Sequence, residues 1–403
     1  MLRPIHRLAI AALCAAACIE PAATTTADAP LAPFQSELLD LAFDAASAFP
    51  LDPHAKNRAR AQQEAFTAAL ELAQPQRALR YAAGIGNWRQ GLAYAEHALW
   101  AARRGAGAAE LERTLALAAA IADDPVATDE QDWRRARIRV RIAETWLLLG
   151  DAARAAEFLQ GANAAEAGAI GRTSAQLADA DAFDRQVAAL DQVILAGDFD
   201  AVKHALAACV ALYDRFYDDV ERRRRAEDKV VASWAGTPAD VNLRMRMGLA
   251  EAALRHADSA HALVLVEKAQ ELFASTTWTS EDRIRFRAQL AGLRHRAGDR
   301  ARAREEAEAA LLAYELARDE IVDVFRAETL LPLAEAFHAL EDDDAALMLY
   351  RRALEESQIN PNSRPRCDDL VAICASLAVQ GLAPDAALME ALRGARARLG
   401  APW

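Results

Sequence analysis

Along residues 294–314 the apolar positions follow a helical period. Ala303, Ala307, Ala310, Leu311 and Tyr314 stand at i, i+4, i+7, i+8 and i+11. That spacing puts all five on one stripe of an α-helix. Arg302, Arg304, Glu305, Glu306 and Glu308 cover the opposite side. Arg302–Glu306 and Arg304–Glu308 form i,i+4 pairs, each worth ~0.2–0.5 kcal/mol. Gly298-Asp299 stands before the stripe; glycine can end one helix and aspartate can cap the next. The dense arginine and carboxylate pattern therefore reads as a solvated helix face rather than a catalytic cluster.

The same tile recurs in 147–162, 194–209, 254–269, 294–310 and 338–353, with a weaker copy in 380–395. Its acidic turn residues are Asp151, Asp198, Asp258, Asp299, Asp342 and Asp385. The last four are separated by 41, 43 and 43 residues, whereas the earlier intervals of 47 and 60 point to insertions. Upstream of most turns an aliphatic-Ala pair precedes an apolar residue: Ile142-Ala143 with Trp146, Leu249-Ala250 with Ala253, Leu333-Ala334 with Phe337, Cys374-Ala375 with Ala378. Leu290-Ala291 departs, with Arg294 in the third place. Downstream, small residues recur at Ala155 and Ala162, Ala262 and Ala269, Ala303 and Ala310, Ala346 and Ala353. Each unit reads as two antiparallel helices packed through small residues across a tight turn.

Composition agrees. Hydrophobic residues are 53% of the chain, alanine chief among them, and aromatics are 6%. Alanine is the best helix former, and β-branched alternation is nearly absent. The expected fold is all-α, a right-handed solenoid of stacked antiparallel helix pairs. Three segments are expected: a targeting segment with linker over 1–30, an N-terminal helical region of degenerate repeats over 31–125, and a repeat array over 126–403. Residues 164–181 read as an irregular link, 237–240 and 276–282 as a loop and a helix cap, and 358–369, with two prolines and two asparagines, as a rigid exposed loop.

The repeat units resemble the tetratricopeptide repeat family over about 130–400, and more weakly over 72–104, where GIGNWRQGLAYAEHALWAA stands. The spacing departs from the family, whose period is about 34. The resemblance implies a concave groove lined by the first helix of each repeat and filled by a protein or peptide. Carried over by position, the groove comprises Arg137 and Glu144; Arg244, Met247, Glu251 and Arg255; Arg285, His295 and Arg296; and Glu328, Leu331, Glu335 and His338. Arg244, Glu251, Arg255, Arg285, Arg296, Glu328, Glu335 and His338 are the expected protein-binding residues.

The net charge of −12 disfavours nucleic acid, which needs a basic footprint. The run Arg222–Arg225 sits among Asp218, Asp219, Glu221, Glu227 and Asp228 and is locally neutralised. The start MLRPIHR is cationic, LAIAALCAAAC is a short apolar run, and PAATTTADAP is a small, polar exit. This is the layout of a secretory signal. Ala15-Ala16-Ala17-Cys18 resembles a bacterial lipobox with Ala in place of the usual Leu, which implies lipidation of Cys18 and membrane attachment through that lipid. Ordinary cleavage near Ala23 to Ala27 is the other ending. Either way the protein is expected to be exported, as a periplasmic or membrane-anchored lipoprotein.

Cys209, Cys367 and Cys374 give no disulfide framework, and no CxxC or His/Cys pair has zinc spacing. There is no GxGxxG after a strand, GxxxxGK[ST], GxSxG or HExxH. No cofactor and no metal are expected. His256 and His261 straddle a turn, His295 and His338 stand alone, and Glu341–Asp344 lacks calcium-loop spacing. The leading expectation is a non-catalytic interaction scaffold. A helical toroid enzyme acting on an envelope polysaccharide would instead gather carboxylates and aromatics at one end of the helices, whereas the seven tryptophans are scattered along the sequence. A self-assembling structural envelope protein is the third reading.

Overall fold

The computed structural model describes residues 27–162, 168–233 and 237–403. The cationic start, the apolar run, Cys18 and Trp234 lie outside these residues. Within them the chain forms twenty helices and no strand. In chain order these are α1 (Pro33–Ser47), α2 (Ala55–Glu71), α3 (Pro75–Gly84), α4 (Trp88–Ala102), α5 (Ala108–Asp123), α6 (Pro125–Thr128), α7 (Asp132–Leu148) and α8 (Ala152–Leu159). Next come α9 (Ile170–Gln176), α10 (Ala180–Ala196), α11 (Phe199–Arg215), α12 (Val220–Ala232), α13 (Ala239–Arg255) and α14 (Ser259–Ser275). The series ends with α15 (Ser280–Arg296), α16 (Arg300–Ala317), α17 (Asp323–Ala339), α18 (Asp343–Ile359), α19 (Ser363–Gln380) and α20 (Ala386–Ala397). The chain is an all-α helical-repeat solenoid.

The six acidic turn residues all cap helices. Asp151, Asp198, Asp258, Asp299, Asp342 and Asp385 accept hydrogen bonds from the backbone N–H groups of Arg154 (3.0 Å), Ala201 (2.9 Å), His261 (3.0 Å), Arg302 (3.3 Å), Ala345 (3.2 Å) and Leu388 (2.8 Å). Each cap satisfies an N–H that the first turn of a helix leaves without a partner. The residue before the cap turns left-handed, at Gly150 (φ +79°) and Gly298 (φ +102°), but also at Ala257 (φ +57°) and Glu341 (φ +62°).

Contacts run α2–α4–α7–α9–α11–α13–α15–α17–α19 along one layer, and α19 then returns to α2. The solenoid is therefore closed into a ring. The outer layer closes too, because α1 packs broadly along α19 and fills the place of a second helix in the last repeat. Leu38, Leu39, Ala42 and Phe49 meet Leu370, Val371, Cys374 and Ala378 in one buried cluster. The Cys367 thiol donates to the Ala45 carbonyl at 3.2 Å and the Gln35 amide to the Ala378 carbonyl at 2.9 Å. Arg60–Asp368, Arg393–Glu37 and Arg396–Asp44 bridge the ends at 2.7 Å each. A second cluster spans α9 to α15.

Three expectations change. Residues 358–369 are no long exposed loop: α18 runs to Ile359 and α19 starts at Ser363, with Asn360 and Ser363 buried. Pro365 fits because the first helical turn lacks N–H partners anyway. The stretch 164–181, read as an irregular link, contains α9, whose Thr173 is fully buried. The opening tile is only partly solvated. Arg302–Glu306 and Arg304–Glu308 pair at 3.7 and 3.8 Å, yet Glu306 also receives the Arg294 Nε at 3.1 Å. Arg294 is fully buried and reaches Glu267 (2.5 Å) and Asp299 (3.4 Å) as well. A buried guanidinium needs such neutralisation, which is why a charged residue can occupy the repeat's apolar position.

Candidate functional site

Helix α2 sets one wall of the site. Arg60, Glu64, Thr67 and Glu71 fall at i, i+4, i+7 and i+11, so they share a face. Ala61, Ala65, Phe66 and Ala69 bury the other side in the core. Helix α17 repeats the device with Val324, Glu328, Leu331 and Glu335 at the same spacing, and α19 adds Asp368, Asp369 and Ala372. These helices and Arg285 of α15 line a well of about 890 Å³ on the inner face of the ring, together with His54 and Trp403. A second hollow of about 410 Å³ shares Glu64, Leu331, Glu335 and Ala372 with it and runs on to Glu71 and Ser376.

The well is acidic. Five carboxylates line it (Glu64, Glu328, Glu335, Asp368 and Asp369) against three guanidiniums (Arg60, Arg285 and Arg364). Arg60 pairs with Asp368 at 2.7 Å, Arg285 with Glu328 at 3.3 Å, and the Ser376 hydroxyl donates to Glu335 at 2.7 Å. Glu64 and Asp369 have no such partner among the described residues. Asp369 is only 8% exposed. Desolvation, then the charges of Asp368, Glu328 and Glu64, push its pKa up to about 8. Glu64 is open to the water of the well but walled in by protein. Desolvation and Asp368 raise it to about 7 against the pull of Arg60, with Glu328 adding to the rise. Burial also raises Asp368, Glu335 and Glu71. Pro332 lies inside α17 and lines the well. Lacking an N–H, it leaves the Glu328 carbonyl without its helical donor.

The residues expected to form a groove divide. Arg285, Glu328, Leu331 and Glu335 meet in the well. Glu251, Arg255 and Arg296 gather instead at a separate shallow depression, where Arg296 pairs with Glu251 at 3.7 Å and Arg255 with Asp214 at 3.1 Å. The Arg244 guanidinium covers the Phe286 ring at 5.0 Å. His338 lies between Asp343 (2.7 Å) and the Gln380 carbonyl (3.0 Å). Arg137 stacks over Trp133 at 5.3 Å. Met247 is buried, and Glu144 is fully buried, accepting from Thr173 at 2.7 Å and paired with Arg141; neither faces a groove. Glu64, Asp368 and Asp369 were missed. The α2 stripe was legible as a polar face, but nothing local says that it faces α17 and α19.

Carboxylates and aromatics do gather here, with Phe325 and Trp403 on the walls. Trp88 and Trp133 pack edge-on against each other at 5.2 Å, away from the well. Among the described residues no cluster of metal-ligating side chains occurs, the three cysteines are buried and free, and no helix is long and apolar enough to cross a membrane.

Fold and site together define a closed helical-repeat ring with a charged inner face. No family model and no curated protein matches the chain. Among solved structures it is similar to a circular tandem repeat protein with novel repeat topology and enhanced subunit contact surfaces. The two share 16% identity at a TM-score of 0.27, over 91% of this chain and 94% of that one. The ring closure rests on this chain's own contacts.

Proposed function

We propose that the protein is a non-catalytic interaction module, tetratricopeptide-like in its repeat unit, that holds a lysine- or arginine-bearing segment of a partner protein in the acidic well. The observation that carries this reading is Asp369: nine-tenths buried, facing the well, and without a counter-ion. Burying a carboxylate without a partner is costly, and an incoming ammonium or guanidinium removes that cost. The layout of residues 1–30 supports action outside the cytoplasm, with Cys18 as the lipid anchor.

Fluorescence anisotropy with basic, neutral and acidic peptides tests this. The basic peptide should bind, more tightly as the pH rises through 7 to 8, because a cation favours the ionised forms of Glu64 and Asp369. The Glu64→Gln/Asp369→Asn pair should weaken it about tenfold or more. Equal binding of all three peptides overturns the reading.

One observation favours a second reading. The same two acids retain protons near neutral pH, beside carboxylates paired to guanidiniums, and glycoside hydrolysis needs such a division between donor and acceptor. Release of reducing ends from an envelope polysaccharide, lost in Asp369→Asn, would establish it.

A further inference from the structure

Toward the C-terminal end of α2, beyond the acidic well, lies a pocket of opposite character. It measures about 530 Å³ and is walled by α2, α4, α7 and α9. Arg103 and Arg104 at the end of α4, Arg141 of α7 and Arg172 of α9 line it. Its floor is apolar, made by Phe66, Leu70 and Leu99, all buried, with Trp100 beside them. Four guanidiniums thus converge in a chain whose net charge is −12.

The local carboxylates neutralise only part of this charge. Glu144 is fully buried and engaged by Thr173 and Arg141. Glu96 takes a hydrogen bond from Gln63 at 3.2 Å, and burial raises the pKa of both Glu96 and Glu71, which weakens their hold on a positive charge. Neither Arg103 nor Arg172 has a carboxylate in ion-pair range among the described residues. Desolvation lowers the Arg103 pKa, and the charge of Arg172 lowers it further, with Glu144 opposing and Arg141 adding to the fall. The Arg104 guanidinium lies over the Trp100 ring at 4.0 Å, a cation–π contact that holds the rim.

We propose that this pocket binds a small amphiphilic oxyanion: a phosphate or carboxylate group held by Arg103 and Arg172, carried on an aromatic or short apolar body that lies on Phe66, Leu99 and Trp100. Guanidiniums match such oxygens through paired N–H donors, and an apolar floor next to a few placed charges is the usual make-up of a ligand pocket. The pocket shares no lining residue with the acidic well, although Thr67 and Glu71 of α2 line both it and the hollow that adjoins the well.

Isothermal titration of the full chain with phenyl phosphate, benzoate and inorganic phosphate tests the proposal. Phenyl phosphate should bind more tightly than inorganic phosphate, and benzoate reports whether a carboxylate serves equally. The Arg103→Ala/Arg172→Ala variant, both side chains being exposed, should keep its circular dichroism and lose about tenfold or more in affinity. Asp369→Asn should leave phenyl phosphate binding unchanged. No binding of either aromatic anion overturns the proposal. So does binding that the double arginine variant leaves intact, which would mark adventitious surface association.

Discussion

The joint between the two ends of the chain and the arc from α8 to α10 are built differently. At the joint Leu38, Leu39, Phe49, Leu370 and Cys374 have no solvent contact, and three ion pairs fasten it, one of them inside the well. In the arc, α8 and α9 have eight and seven residues, and Leu177 and Leu195 are 49% and 81% exposed. Segments more than 300 residues apart are thus better packed than segments adjacent in sequence. Loop-closure entropy explains why this is affordable. It grows with the logarithm of separation, so a contact across 322 residues costs only about 2 kcal/mol more than one across a single repeat. Each large apolar side chain buried at the joint returns about 1.5–3 kcal/mol.

The sharpest way to break the comparison is to remove α1. A chain starting at residue 51 exposes α19 and should lose about 5 kcal/mol or more in urea unfolding; an unchanged midpoint would mean that the ring does not depend on its closure. Arg294 lies where the two buried clusters meet in α15. Arg294→Ala removes a fully buried guanidinium, leaves Glu267 and Glu306 to Arg302 alone and should cost about 3 kcal/mol in urea unfolding. A direct contrast of the two regions comes from Leu39→Ala, expected to cost about 2–5 kcal/mol, and Leu195→Ala, expected to stay within about 0.5 kcal/mol. Equal effects would erase the distinction.

The acidic well beside the joint gives a pH signature. The folded-state pKa of Asp369 lies above its unfolded value, so the folded ring keeps a proton that the unfolded chain gives up. Its contribution to stability is therefore intact below about pH 4 and falls as the pH rises to about 8. Asp369→Asn should raise the melting temperature at pH 8 more than at pH 5; a pH-independent gain would refute the assignment. The smallest effect concerns a turn. Glu341→Gly relieves a left-handed residue where other repeats use glycine and should add about 0.5–1 kcal/mol by thermal unfolding.

Helix content, the six capping aspartates and the buried alanine stripes were legible because capping and periodicity act over a few residues. The same local rules misjudged 358–369, since Pro365 and the asparagines look like a loop until α19 is seen to start there, at the seam. They also placed Glu144 in a groove, because the position of a residue on its helix does not report that α9 covers it. Half of the acidic well was found through Arg285, Glu328 and Glu335. Of the rest, Asp368 and Asp369 come from the next repeat, and Arg60 and Glu64 from the opposite end of the chain.

The sequence by itself determined that this protein is a stack of capped, alanine-packed helix pairs. Only the tertiary structure decided that the stack closes, which carboxylates share one well, and that arginines crowd a pocket further along α2. Closure depends on a small rotation at each junction summed over nine inner helices. No single junction encodes that sum, so the charges it brings together are invisible until the ring is complete.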